Sequence, residues 1–240
     1  MPDRRGPVAL VGGDELRPGN EPQDEILVGA ANGGPAFVLA TAAARQRPEL
    51  AVRNARSWFA SLGLEIDELP ATRRSDLTAP GNAELARTGR LFYLVGGDPG
   101  LVPRMFRASI VWQAVVDAWR DGAALAGSSA GAMALGEWTL IRDRMPGDTV
   151  RHYRDALAVV PGIAVVPHFD GFGRRWVDGA LSAAPRDDVV LVGVDERSAT
   201  VWQGGAWRAF GAGGVTVITR TDRKRFAHGE RVAGIPQPAF

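Results

Sequence analysis

The 240-residue chain contains no cysteine, which excludes disulfides, thiolate metal sites and a cysteine nucleophile. Covalent catalysis, if there is any, falls to serine or threonine. Lysine is nearly absent: Lys224 is the single one among 28 basic residues, a pattern we read as a general preference for arginine rather than as a phosphate-binding signal. Neither sign of charge is in excess. With 28 basic and 27 acidic residues the net charge is +1, so there is no long-range pull toward nucleic acid or an anionic membrane. No apolar run approaches the about 18 residues needed to span a bilayer, and the opening MPDRRGPVALVGG lacks both a long apolar stretch and a cleavage-site pattern. These absences predict a soluble, cytoplasmic protein with no nucleic-acid or membrane partner.

What the chain does have is short apolar runs alternating with helical patterns. Runs at residues 8–13, 36–42, 64–69, 91–95, 123–127, 163–167 and 189–194 read as strands. Between them Val52, Ala55, Trp58, Phe59 and Leu62 recur at helical spacing and stop at Gly63, and Val111, Val115, Ala118 and Trp119 form one face of a helix ending before Gly122. Trp58, Trp112 and Trp119 therefore belong to the core rather than to a ligand platform. Residues 199–219 change style, with short alternating runs separated by glycine pairs, which suits antiparallel strands and tight turns. The expected fold is α/β: a mainly parallel sheet with helices on both faces and a C-terminal antiparallel edge extension. No linker divides the chain, so residues 1–240 are expected to form one domain, with 1–6 and 221–240 peripheral.

Within this frame the stretch LAGSSAGAMAL at 125–135 stands at a strand-to-helix turn, with AGAMALGEW beginning the helix. Its G-x-S-x-G pattern marks Ser129 as a candidate nucleophile on a sharp elbow, where bulky neighbours at Gly127, Ala130 or Gly131 would collide with adjacent strands. Ser128 should then be a turn residue pointing away from the cleft. The same pattern also fits a close-packed strand–helix junction with no chemistry. A nucleophilic serine needs a base, and the histidines are His152, His168 and His228. His152 lies in VRHYRDAL, read as a polar helix or loop, and His228 in a charged, solvated tail. His168 instead follows a buried strand, at the edge where open α/β sheets place their sites. Two further strand ends matter: Gly96-Gly97-Asp98, a ligand-facing turn or an ordinary one, and Asp195-Glu196, which also reads as a solvated strand end.

Taken together and in this order, GGD at 96–98, GSSAGA at 127–132, PHFD at 167–170 and GVDERSA at 193–199 resemble the S51 serine peptidase family, which includes dipeptidase E and cyanophycinase. The resemblance spans about residues 8–219. It implies a fold like that of the class I glutamine amidotransferases, with serine in place of their cysteine, and needs no metal or other cofactor. It also implies Ser129 as nucleophile, His168 as general base, Glu196 as the carboxylate orienting it, and an oxyanion hole of backbone N–H groups at Gly97, Asp98 and Ala130. The Ser, His, Glu order differs from that of α/β-hydrolases, and their HGGG element is missing. For the third role Asp143 competes with Glu196, but Glu196 follows a strand and should emerge on the same edge as Ser129 and His168. Arg174 and Arg175 are candidates for binding a substrate carboxylate. Pro99 stands where cyanophycinases carry a glutamine. The expected function is hydrolysis of an amide bond of a small peptide substrate, at an acidic (aspartyl) residue, through an acyl-enzyme; a homo-oligomer is left open. The competing reading is a non-catalytic amidotransferase-like module that binds a small anion or nucleotide at the Gly-rich edge.

Overall fold

Alternate residues of a strand face opposite sides of its sheet, and here both sides are buried. Val8 and Leu10 join one apolar cluster with Phe37, Leu39, Phe92 and Leu94, while Ala9 and Val11 join a second with Val38, Tyr93 and Ala126. Burial on both faces is why these runs read as continuously apolar rather than alternating. The structure, a computed structural model, describes residues 4–142 and 151–239.

Among the described residues the strands are β1 (Val8–Val11), β2 (Ala36–Leu39), β3 (Asp67–Glu68), β4 (Leu91–Leu94), β5 (Ala124–Ser128), β6 (Gly136–Arg142), β7 (Arg151–Asp155), β8 (Val160–Val166), β9 (Val190–Val194), β10 (Ser198–Gln203), β11 (Ala206–Gly211), β12 (Val215–Ile218), β13 (Arg223–Phe226) and β14 (Arg231–Val232). The helices are α1 (Glu21–Ala31), α2 (Pro48–Ser61), α3 (Arg74–Thr78), α4 (Pro80–Thr88), α5 (Leu101–Phe106), α6 (Ile110–Arg120), α7 (Ala130–Leu135) and α8 (Val177–Ser182). The fold is mixed α/β, as the sequence predicts, with the strands divided between two sheets. One has eight strands in the order β14-β11-β10-β1-β5-β4-β2-β3, its parallel half running from β1 to β3. The other has six in the order β13-β12-β9-β8-β6-β7, with β6, β8 and β9 parallel at its centre.

The division has a local cause. A parallel crossover back to the first sheet takes about a dozen residues, and α7 has six before the chain enters β6 at Gly136. The helix expected from AGAMALGEW thus stops at Leu135, and the alternation of Trp138 and Leu140 carries the rest as strand. Likewise VRHYRDAL is neither helix nor loop: residues 151–155 pair antiparallel with β6, placing His152 opposite Ile141 at the sheet edge. Of residues 64–69 only Asp67 and Glu68 pair with β2, although Leu64, Ile66 and Leu69 are buried. Residues read as peripheral supply an edge strand to each sheet, β13 and β14. Trp58, Trp112 and Trp119 are core residues, and Ser109 caps α6 by accepting the Trp112 N–H at 3.1 Å. Among the described residues no helix is long and apolar enough to cross a membrane.

Candidate active site

Ser129 stands where β5 ends and α7 begins, with φ 49° and ψ −112°. A non-glycine residue held there is strained, and the surroundings impose it. The Ser129 N–H donates to Val11 O at 3.0 Å, tying the elbow to β1, and its carbonyl accepts from Met133 N at 3.0 Å. The small residues serve packing: a Cβ on Gly127 would stand 2.4 Å from Gly131 O, and one on Gly131 would stand 2.2 Å from Leu94 O in β4. Ser128 is the last residue of β5 rather than part of the turn, and it is fully buried, away from the site.

β8 and β9 are parallel neighbours, Val166 opposite Gly193, so the chain leaves both at the same edge. His168 lies two residues beyond β8 and Glu196 two residues beyond β9. Their side chains meet there: Ser129 Oγ is 3.1 Å from His168 Nε2, and His168 Nδ1 is 2.7 Å from Glu196 Oε1. With the proton on Nδ1 the imidazole donates to the carboxylate and leaves Nε2 to accept from the serine hydroxyl. The ring is held at its base as well. His168 N donates to Gly12 O at 2.7 Å, and a Cβ on Gly13 would lie within 2.9 Å of three ring atoms, so only glycine fits against this histidine. Glu196 N donates to Asp170 Oδ1 at 3.0 Å, which fastens the two loops together. Asp143, the competitor for the third position, lies outside the described residues.

The turn at 96–98 runs past Ser129: a Cβ on Gly96 would be 3.3 Å from Ser129 Cβ and 3.7 Å from Oγ. One expectation fails here. The Asp98 N–H donates to Ala42 O at 2.8 Å, so it is turned into the protein and unavailable to a substrate oxygen. The Gly96 N–H is also engaged, donating to Glu15 Oε1 at 2.9 Å. Glu15 was not singled out in the sequence; the available signal was Gly12-Gly13 after β1, the same strand-then-glycines pattern as at Gly96. Asp195 corrects a second expectation. Far from being a solvated strand end, it is 1% exposed and accepts from Gly214 N at 2.9 Å and Arg225 Nη2 at 2.5 Å. Its partners lie in distant sequence, which hid its burial. Arg174 and Arg175 are exposed on the 3₁₀ turn Gly173–Trp176, and Arg174 lies 5.5 Å from the centroid of Phe169. Among the described residues no cluster of three or more His, Asp or Glu side chains is placed to hold a metal ion.

The chain is similar to several known proteins. The chain is 27% identical over 227 residues to cyanophycinases from Synechococcus elongatus and Thermosynechococcus vestitus, covering 91% of this chain and 69% of each of theirs. Its fold matches the crystal structure of a peptidase from an acI-B1 actinobacterium with a TM-score of 0.82 at 27% identity, over 97% of this chain and 98% of that one. A peptidase E-type protein from Listeria monocytogenes shares the fold at a TM-score of 0.59 and 14% identity, over 95% of this chain and all of that one. The model of peptidase family S51 matches residues 12–209, a span that holds Ser129, His168 and Glu196, and the chain accordingly belongs to that family and is a serine hydrolase.

Proposed function

We propose that the enzyme hydrolyses an amide bond of a small cytoplasmic peptide, next to an acidic residue, through an acyl-enzyme formed on Ser129. The observation that carries this reading is the chain of contacts from Ser129 Oγ to His168 Nε2 at 3.1 Å and from His168 Nδ1 to Glu196 Oε1 at 2.7 Å. His168 takes the hydroxyl proton as Oγ attacks the scissile carbonyl, while Glu196 holds the tautomer and stabilises the imidazolium. The proton then passes from Nε2 to the leaving amine, and water repeats the sequence on the ester. With the Gly96 and Asp98 amides engaged, the Gly97 and Ala130 N–H groups are assigned to the developing oxyanion. One such donor is typically worth about 10² to 10³ in kcat.

The acidic preference is assigned to Arg174 and Arg175, whose guanidinium forks suit a carboxylate and which follow His168 on the exposed 3₁₀ turn. A dipeptide panel tests both levels. The enzyme should cleave Asp-Leu well above Ala-Leu, Ser129→Ala should abolish turnover, and a fluorophosphonate should label Ser129 alone. Equal rates on the two peptides would remove the arginine assignment, and labelling of another serine would remove the site.

A further inference from the structure

Phe172 is 47% exposed, and with Leu85 and Ile110 it is one of three large hydrophobic residues left open among the described residues. An isolated exposed hydrophobic is ordinary. This one is not isolated from the chemistry: its ring stacks on the His168 imidazole, with centroids 4.9 Å apart and planes 23° from parallel. Nor is it loosely held. Both Gly171 N and Gly173 N donate to the His168 carbonyl, at 3.1 and 2.9 Å, so the loop curls back on the histidine and carries Phe172 with it. Gly173 permits that closeness, since a Cβ there would be 2.2 Å from Pro167 O. Behind Phe172 the row continues: Trp176 lies 5.5 Å away centroid to centroid, and the Arg151 guanidinium sits 3.4 Å from the centre of the Trp176 ring. An exposed ring braced on both sides is a rigid apolar surface, and a rigid ring loses little conformational freedom when a ligand covers it.

The chemistry says which part of a substrate meets this surface. His168 Nε2 must come within hydrogen-bond reach of the departing amine to protonate it. The residue that leaves is therefore the part of the peptide nearest the imidazole, and its side chain falls beside whatever covers the imidazole. Resting on the peptidase reading above, we infer that Phe172, backed by Trp176 and Arg151, forms the subsite for the leaving residue and selects peptides in which that residue carries an aromatic or branched aliphatic side chain.

The test uses the full-length enzyme and a series of dipeptides with Asp at the acyl position and Gly, Ala, Leu or Phe as the leaving residue. The wild type should favour Leu and Phe over Gly in kcat/KM by about tenfold, the size of effect that one or two buried apolar groups give in a binding pocket. Phe172→Ala should remove most of that preference, losing about tenfold more on Asp-Phe than on Asp-Gly, and Phe172→Trp should restore it. The midpoint of the pH profile with Asp-Gly should stay in place. A loss equal across the series, or a shifted midpoint, would mean that Phe172 only shields His168 and would overturn the subsite. Turnover without leaving-residue preference in the wild type would overturn it too. A wild type that cleaves none of the peptides would overturn the acidic-peptide reading beneath it.

Discussion

Ser129 and His168, the proposed nucleophile and base, follow strands of different sheets, and the two contacts of the proposed triad are built in different ways. His168 and Glu196 follow β8 and β9, adjacent parallel strands in register, so their 2.7 Å contact is local to the six-stranded sheet. Ser129 follows β5 of the eight-stranded sheet, so its 3.1 Å approach to His168 crosses from one sheet to the other. The crossing is held by the end of β1 and the loop after it: Ser129 N on Val11 O, His168 N on Gly12 O and Arg197 N on Gly13 O, at 3.0, 2.7 and 2.9 Å. The Arg197 side chain adds a second tie, donating to Asp14 Oδ2 at 2.6 Å. The approach of Ser129 to His168 is thus tied to a short stretch, residues 11–14, that supplies none of the three side chains.

The local contact should be the costlier one to lose. Glu196→Gln leaves the strand register intact but can stabilise the wrong imidazole tautomer, and comparable changes in other triads cost about 10⁴ in kcat. Steady-state kinetics with the far-UV spectrum unchanged would fit this. A rate near wild type would mean that His168 works without this carboxylate, and the contrast between the two contacts would collapse.

The contact across the sheets should be broken from the loop alone. At Gly13 φ is 116° and a Cβ would sit 2.3 Å from His168 Cε1, so Gly13→Ala must push the ring off its line to Ser129. A displacement of about 1 Å is enough to cost about 10² in rate. The fold should survive, because the change faces a half-buried side chain rather than the core. Slower labelling by a fluorophosphonate, with cooperative unfolding retained, is the expected result. Unaltered labelling would show that the loop merely passes the site.

The strand ends were legible in the sequence because glycines, small residues and a histidine directly after a buried run are what a tight turn beside a reacting group demands. Both core tryptophan faces were legible too, since 3.6-residue spacing survives any tertiary arrangement. Sheet membership was not: β8 and β9 look like any buried parallel strands, and local pattern does not say which sheet they pair into. Glu15, Asp195 and Phe172 escaped for the same physical reason. Each takes its role from partners that local pattern does not name, the Gly96 amide, Arg225 and a stacked imidazole.

Two buried carboxylates, one in each half of the fold, differ in their partners, and this gives the effect smallest in turnover. Asp195, beside Glu196, has a charged partner in Arg225 and the Gly214 amide, so Asp195→Asn should lower stability by about 1–3 kcal/mol at neutral pH. Asp24, in α1 against the eight-stranded sheet, has among the described residues only the Trp58 indole N–H as a side-chain partner, at 2.7 Å. Burial pushes its carboxyl from 3.8 up to about 7; the Trp58 bond pulls the other way, and Glu15 and Glu21 add to the push. The folded protein therefore holds a proton that the unfolded chain releases at about pH 4. Below that both states are protonated and Asp24 costs nothing. Between about pH 4 and 7 the folded state binds more protons than the unfolded one, so stability falls as pH rises, by an amount on the order of 4 kcal/mol once the carboxyl is ionised. Asparagine keeps an oxygen for the Trp58 N–H and carries no charge. Urea unfolding at a series of pH values should therefore find Asp24→Asn more stable than wild type above pH 7 and little different near pH 4, with turnover hardly altered. If wild type and variant lose stability in parallel through that window, Asp24 is not the group that titrates.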